Sequence, residues 1–305
     1  CKGKALAIIT DRFVTSAGEG EQVTVVCDRT PFYGESGGQV GDRGVMASQG
    51  ARLAVNDTQK SPDGKHLHLC TVQSGELQVG DEVTLTVDHE RRQSVSRAHT
   101  ATHLLHKALR DVLGNHVEQA GSLVEPDVLR FDFSHFAAVT AQELTTIEEA
   151  VNRAILSGLP IEAREMPQAE AKALGAMALF GEKYGDKVRV VRMGDYSMEL
   201  CGGVHLDNTA KAGLFKITSE ASVAAGVRRI EARCGLASLA YLRGLVQDIA
   251  QVADSLKSTP QNLLQRARQV MDELRSLAHE NELLEGKLAA VTAGELMNQA
   301  TAVGQ

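Results

Sequence analysis

Two imidazoles one helical turn apart, in His99-Thr-Ala-Thr-His103, constrain this chain more than any other residues. At about 3.6 residues per turn both side chains fall on one helix face and can converge on a single ion. Farther along, Cys201-Gly-Gly-Val-His205 repeats the spacing, but its paired glycines read as a tight loop. Three His and one Cys form a four-ligand set suited to zinc, which takes nitrogen and sulfur donors in tetrahedral geometry. No Glu follows His99, so this is not the His-Glu motif of a metalloprotease, and peptide hydrolysis through that general base is disfavoured. His106 lies on nearly the same helix face, a turn beyond His103, and reads as a neighbour of the ligands or a surface residue. His66, His68, His89, His116, His135 and His279 lack comparable partners.

The rest of the composition narrows the class. A length of 305 residues allows two or three domains with their own cores. No apolar run approaches the ~20 residues that cross a bilayer, so no membrane partner is expected, and the N-terminus carries no secretion signal. Five scattered Cys do not form a disulfide framework, which points to a reducing cytoplasm. The net charge of −7 argues against a general polyanion binder, while leaving room for particular residues to contact phosphates. The chain opens on Cys1 and runs at once into an apolar segment, which reads as part of a longer protein.

Residues 1–90 read as short strands separated by turn-formers: Ala5–Thr10, Val23–Cys27, Leu53–Asn56, Leu67–Val72 and Glu82–Val87. That pattern suits a small β-barrel. Among them runs a Gly-rich stretch, Arg29 to Gly44, with neither the ending of a P-loop nor the spacing of a dinucleotide fingerprint. A helix is expected from an N-cap at Asp88 to a glycine stop at Gly114. Val128–Phe133, Val188–Met193, Leu214–Ser219 and Arg228–Ala232 read as strands and Ala141–Ser157 as an amphipathic helix, giving an α+β domain over residues 91–235. Residues 236–305 read as two long helices, Ser238–Ser258 and Gln261–Val291, broken at Pro260. Leu263, Ala267, Val270, Leu274, Leu277, Asn281, Leu284, Leu288 and Val291 trace a heptad seam, which suits an antiparallel hairpin as well as a coiled-coil homodimer.

Several motifs in order carry a family resemblance. Arg29-Thr-Pro-Phe-Tyr-Gly-Glu-Ser-Gly-Gly-Gln39, the His99 motif, Gln119-Ala-Gly-Ser-Leu123, Leu129-Arg-Phe-Asp-Phe133 and Ala176-Met-Ala-Leu-Phe-Gly-Glu-Lys-Tyr184 resemble the editing region of bacterial alanyl-tRNA synthetases. Glu199-Leu-Cys-Gly-Gly-Val-His205 and Ala225-Gly-Val-Arg-Arg-Ile-Glu-Ala232 extend the likeness, and free-standing editing relatives share these motifs. Val204 departs from the Thr usual in the family and leaves the ligands intact. The resemblance implies hydrolysis of alanine tRNA mischarged with Ser or Gly, with one zinc per chain. ATP and Mg2+ would belong to an aminoacylation domain expected before Cys1. The expected metal ligands are His99, His103, Cys201 and His205, with Cys201 or His205 as the member that could open a coordination position. Thr102, Gln119 and Glu199 are expected around the reacting ester, with Ser122 and Thr30 beside the substrate. Arg228 and Arg229 are expected either at tRNA phosphates or in a salt bridge with Glu231 or another acid. The competing reading is a non-catalytic tRNA-binding and dimerising module whose zinc is structural.

Overall fold

A computed structural model describes residues 1–177 and 185–299 of the chain. By its internal contacts the chain divides into two units, Cys1–Ala240 and the segment from Tyr241. The first unit begins with eight antiparallel strands: β1 (Lys2–Ile9), β2 (Phe13–Val14), β3 (Ser16–Gly18), β4 (Gln22–Cys27), β5 (Gly44–Ala47), β6 (Ala51–Lys60), β7 (His66–Gln78) and β8 (Glu82–Val87). Six of them close into a barrel in the order β1-β4-β7-β6-β5-β8, because β1 pairs with β4 through Ala5–Ile9 and with β8 through Lys2–Lys4. Strand alternation does the sorting: β8 buries Val83, Leu85 and Val87 and exposes Glu82, Thr84 and Thr86. Inside lie Ile8, Val25, Met46, Leu53, Val55 and Leu77. The expected small barrel is therefore present. The sequence reading omitted β2, β3 and β5, which are two to four residues long and too short to show a period.

Only Asp88 separates β8 from the helix α1 (His89–Leu113). The Asp88 carboxylate accepts the Arg91 backbone N–H at 3.0 Å, and Gly114 stops the helix at a φ of 115°, so both expected ends hold. Every residue from Ala98 to His106 is buried, so the middle of α1 is covered on all sides. One cover is a four-stranded antiparallel sheet in the order β14-β15-β10-β9, made of β9 (Gln119–Glu125), β10 (Val128–Ser134), β14 (Phe215–Ala224) and β15 (Val227–Cys234). Another is α2 (Ala141–Leu156), which starts with a capping box between Thr140 and Glu143. Leu104, Leu105, Leu109, Phe131, Phe133, Ile147, Val151 and Phe215 form the shared core.

A third antiparallel sheet, β11 (Ile161–Pro167), β12 (Lys187–Met193) and β13 (Ser197–Leu200), lies with the short helix α3 (Gln168–Ala173) over Ala171, Val188, Val190 and Leu200. The sequence reading found β12 alone of this group. Positions 178–184 of the Ala176–Tyr184 motif lie outside the described residues. The last described elements are α4 (Gly235–Ser255) and α5 (Leu263–Gln299), separated by a break with a 3-10 turn at Pro260–Asn262, as the proline predicts. Of the seam, Leu263, Ala267 and Val270 are half-buried, while Leu274, Leu277, Leu284, Leu288 and Val291 are exposed among the described residues. None of the described helices is long and apolar enough to cross a membrane.

Within the barrel, His68 is fully buried, with its ring edge-on to Phe32 at 5.4 Å. Its Nδ1 lies 2.9 Å from the Val25 carbonyl and its Nε2 2.7 Å from the Thr30 hydroxyl. Nδ1 must donate to the carbonyl, and in the neutral ring Nε2 accepts from the Thr30 hydroxyl. Burial holds this imidazole below its ordinary value of 6.5, with the nearby His66 adding to the effect. The unfolded chain therefore takes up the proton first as pH falls, so the contribution of His68 to stability is constant above about pH 6.5 and declines below it. The urea midpoint should fall between about pH 7.5 and about pH 5.5, and His68→Gln should flatten that slope. An unchanged slope in the variant would show that His68 does not carry the effect.

Candidate metal centre

α1 supplies His99 and His103, and the loop after β13 supplies Cys201 and His205. Their ligand atoms all lie within 4.8 Å of one another. The Nε2 atoms of His99 and His205 each stand 3.3 Å from Cys201 Sγ. That matches the tetrahedron edge of about 3.5 Å expected when a cation binds one sulfur and three nitrogens. The outward nitrogens also face polar atoms. His99 Nδ1 lies 2.6 Å from Gln39 Oε1, His205 Nδ1 3.4 Å from Thr100 Oγ1, and His103 Nδ1 3.5 Å from Glu199 Oε2. His99 and His205, which turn one nitrogen to the thiol and bond the other to a polar atom, are arranged as metal ligands are; His103 Nδ1 faces the Glu199 carboxylate without a hydrogen bond. The donor set and its surroundings therefore fit a metal ion.

Protonation follows from the crowding. Burial alone would raise the Cys201 thiol, but the adjacent His99 and His103 outweigh it and hold the thiol well below its ordinary value. His205 is pushed down to about 3 by burial and by His99, leaving it neutral. His103 is raised to about 9: burial opposes its charge, and the Glu199 carboxylate and Cys201 overcome that. A cation arriving here meets a thiolate and has to displace the proton that His103 holds.

Beside the cluster is a cavity of about 250 Å³ whose wall includes Thr102, His106, Gln119, Ser122, Phe131 and Glu199. Thr102 Oγ1 donates to the Ala98 carbonyl at 2.9 Å, so its proton is committed to its own helix. Gln119 Nε2 donates to Ser122 Oγ at 3.3 Å, and Ser122 Oγ donates to the Gly37 carbonyl at 3.3 Å. Glu199 accepts from Ser197 Oγ at 2.8 Å and lies 3.2 Å from His106 Nδ1. His106 is thus a buried neighbour of the ligands, and the surface option is excluded. A larger groove of about 590 Å³ is lined by barrel residues alone and holds no buried titratable group.

Three expected residues stand elsewhere. The Thr30 hydroxyl is turned into the barrel onto His68. Arg228 makes a two-pronged bond to Glu220 at 2.5 and 2.6 Å, and Arg229 one to Asp132 at 2.7 Å. The structure does not bring these three to the cavity; the salt-bridge option holds for both arginines, with partners other than Glu231. Two residues escaped the sequence reading. Gln39 is the partner of His99, and Arg189 Nη1 donates to the Cys201 carbonyl at 2.8 Å and the Gly203 carbonyl at 2.7 Å, bracing the ligand loop. Gln39 fell within a quoted motif but at no helical or strand spacing from His99, so only the fold could pair them.

Residues 1–91 match the family described as tRNA synthetases class II (A), and residues 188–231 match the threonyl and alanyl tRNA synthetase second additional domain. The alanine–tRNA ligase of Acetivibrio thermocellus is 51% identical over 96% of this chain and 33% of that protein. Those of Bacillus subtilis and Bacillus velezensis are 50% and 48% identical, over 94% and 99% of the chain and 33% and 35% of their own lengths. The chain thus spans about a third of the length of the relatives it matches.

The paired glycines of the ligand loop are not equivalent. A Cβ on Gly203 would sit 2.0 Å from His99 Cε1 and 2.7 Å from Gln39 Oε1, whereas one on Gly202 would meet nothing within 4 Å. Gly203→Ala should weaken metal binding by more than about tenfold while Gly202→Ala leaves it near the parent. Chelator competition on the purified proteins measures both, and equal affinities would contradict the close packing at Gly203.

Proposed function

We propose that this chain, whose sequence matches the alanyl-tRNA synthetase family over nearly all of its own length, hydrolyses alanine tRNA that has been mischarged with serine or glycine. The observation that carries the proposal is the pairing of a His3Cys cluster with a small cavity whose wall combines neutral polar groups (Thr102, Gln119, Ser122), the Glu199 carboxylate and the cationic Lys187 and Arg189. A synthetic site shaped for alanine discriminates poorly against glycine, which lacks only a methyl, and against serine, which adds only a hydroxyl. A second site that cleaves the wrong ester corrects both errors.

The metal proposed is zinc, held by His99, His103, Cys201 and His205. When bound by four protein ligands it supplies a fixed positive charge and a rigid wall to the cavity. The residues of the chain perform the rest. Gln119 and Ser122, already bonded to each other, present amide and hydroxyl groups that can hold a seryl hydroxyl. Glu199, fixed by Ser197 and facing His106, orients the aminoacyl amine or the attacking water. Thr102, with its proton spent on Ala98, offers lone pairs and a methyl that limit the size of the acyl group. Water adds to the ester carbonyl, the bond to the tRNA ribose oxygen breaks, and the free amino acid and tRNA leave. For α5, we propose that the exposed seam pairs with a second copy of the chain, giving a homodimer.

Zinc-loaded protein should release serine from Ser-tRNA and glycine from Gly-tRNA for alanine and spare Ala-tRNA. Chelation or Cys201→Ala should lower the rate by at least about a hundredfold. Intact Ser-tRNA after incubation with zinc-loaded protein would overturn the hydrolytic reading. Unfolding on metal removal would favour the binding module with a structural ion. Sedimentation equilibrium tests the seam: Leu277→Glu with Leu284→Glu should convert a dimer to a monomer, and a monomeric parent would contradict self-association.

A further inference from the structure

The Gly-rich stretch of the barrel enters the metal centre through Gln39. This residue is fully buried, and its single Oε1 lies 2.6 Å from His99 Nδ1 on α1 and accepts the Val204 backbone N–H at 2.9 Å. One oxygen therefore joins the helix that supplies two candidate ligands to the loop that supplies the other two. A ring nitrogen this close to a carbonyl oxygen carries the proton, which leaves His99 Nε2 as the bare lone pair facing Cys201 Sγ. The amide is oriented for its oxygen at the expense of its nitrogen: Gln39 Nε2 is buried and has no partner among the described residues. A glutamine placed only to fill space would not leave a buried donor unpaired, since that costs free energy.

The backbone around Gln39 is held as firmly. Val124 N–H donates to the Gly38 carbonyl at 2.8 Å and Val40 N–H to the Val124 carbonyl at 3.2 Å, so the stretch lies along β9 as a further strand would. Gly38 has a φ of +79°, and a Cβ there would sit 2.3 Å from the Ser122 carbonyl oxygen. No side chain fits between the stretch and β9. At its far end the buried Asp42 carboxylate accepts the Tyr33 N–H at 2.6 Å and pairs with Arg92 of α1, while Arg92 also donates to the Pro31 carbonyl at 2.6 Å. The segment is clamped at both ends by the elements it serves.

We infer that Gln39 is a positioning residue for the metal centre: it fixes the tautomer and ring plane of His99 and the seat of the Cys201–His205 loop, making the barrel part of the site. The inference rests on the metal reading and not on the hydrolytic one. Gln39→Met keeps the length of the side chain and removes the acceptor; Gln39→Glu keeps an acceptor oxygen. In the whole chain, Gln39→Met should bind Zn2+ about ten- to a hundredfold more weakly by chelator competition. Its Co2+ derivative should show shifted ligand-field bands, because His99 is free to turn. Gln39→Glu should restore both affinity and spectrum to near the parent. If Gln39→Met does not fold, Gln39→Asn, which withdraws the oxygen by one methylene, takes its place with the same expectation. Parent-like affinity and spectrum in the acceptor-deficient variant, or an equal loss in Gln39→Glu, would overturn the inference alone. A parent chain that binds no metal would overturn the metal reading and this inference together.

Discussion

Polar side chains buried in the middle of a helix have to find partners inside the protein, and that requirement organises the first unit. α1 carries Ser96, His99, Thr100, Thr102, His103 and His106 through turns that solvent does not reach. Left unpaired, each would oppose folding by an amount comparable to a lost hydrogen bond. For His99, Thr100, His103 and His106 the structure meets the requirement from other elements, while Thr102 bonds back to its own helix. The barrel sends Gln39 to His99, β13 sends Glu199 to His103 and His106, and the loop after it sets Cys201 and His205 against the imidazoles. Thr100 accepts the Leu206 N–H, pinning the far side of that loop. The apolar residues between them, Ala101, Leu104, Leu105 and Leu109, fill the core that holds the helix in place.

Much of this was legible in the sequence because it is local. The cap at Asp88, the stop at Gly114, the break at Pro260 and the one-turn spacing of His99 and His103 are properties of neighbouring residues, and all four hold. The barrel could be read from alternating strands such as β8. What was not legible depends on pairing at a distance. Nothing near Gln39 announces that its amide meets a histidine sixty positions on. Nothing near Arg189 shows that one of its nitrogens will hold two carbonyls of a loop. β11 and β13 went unread for a related reason: Glu162, Arg164 and Glu165 make β11 look like loop, and β13 is only four residues long.

Thr30, Arg228 and Arg229 teach the complementary lesson. Each has the chemistry that a binding residue needs, and each is already engaged. Thr30 satisfies a buried imidazole in the barrel, and the arginines close two-pronged bonds across the sheet of β10, β14 and β15. Side-chain type sets what a residue can do; prior commitments set what remains for a ligand. Gln119 and Ser122 differ because their partners are themselves part of the cavity wall, as is His106 beside Glu199.

The single residue between β8 and α1 has a geometric consequence of its own. β8 is registered against β5 up to Val87, and the Asp88 N–H is tied to the Arg43 carbonyl, so the strand is fixed to its last residue before the helix begins. With no slack at the junction, the barrel dictates the rotational phase of α1 as well as its position. One added residue would turn both histidines about 100° around the helix axis and away from the Cys201 loop. The length of a strand thereby sets the compass bearing of a metal ligand, which ties insertions and deletions in the barrel to the chemistry beyond it.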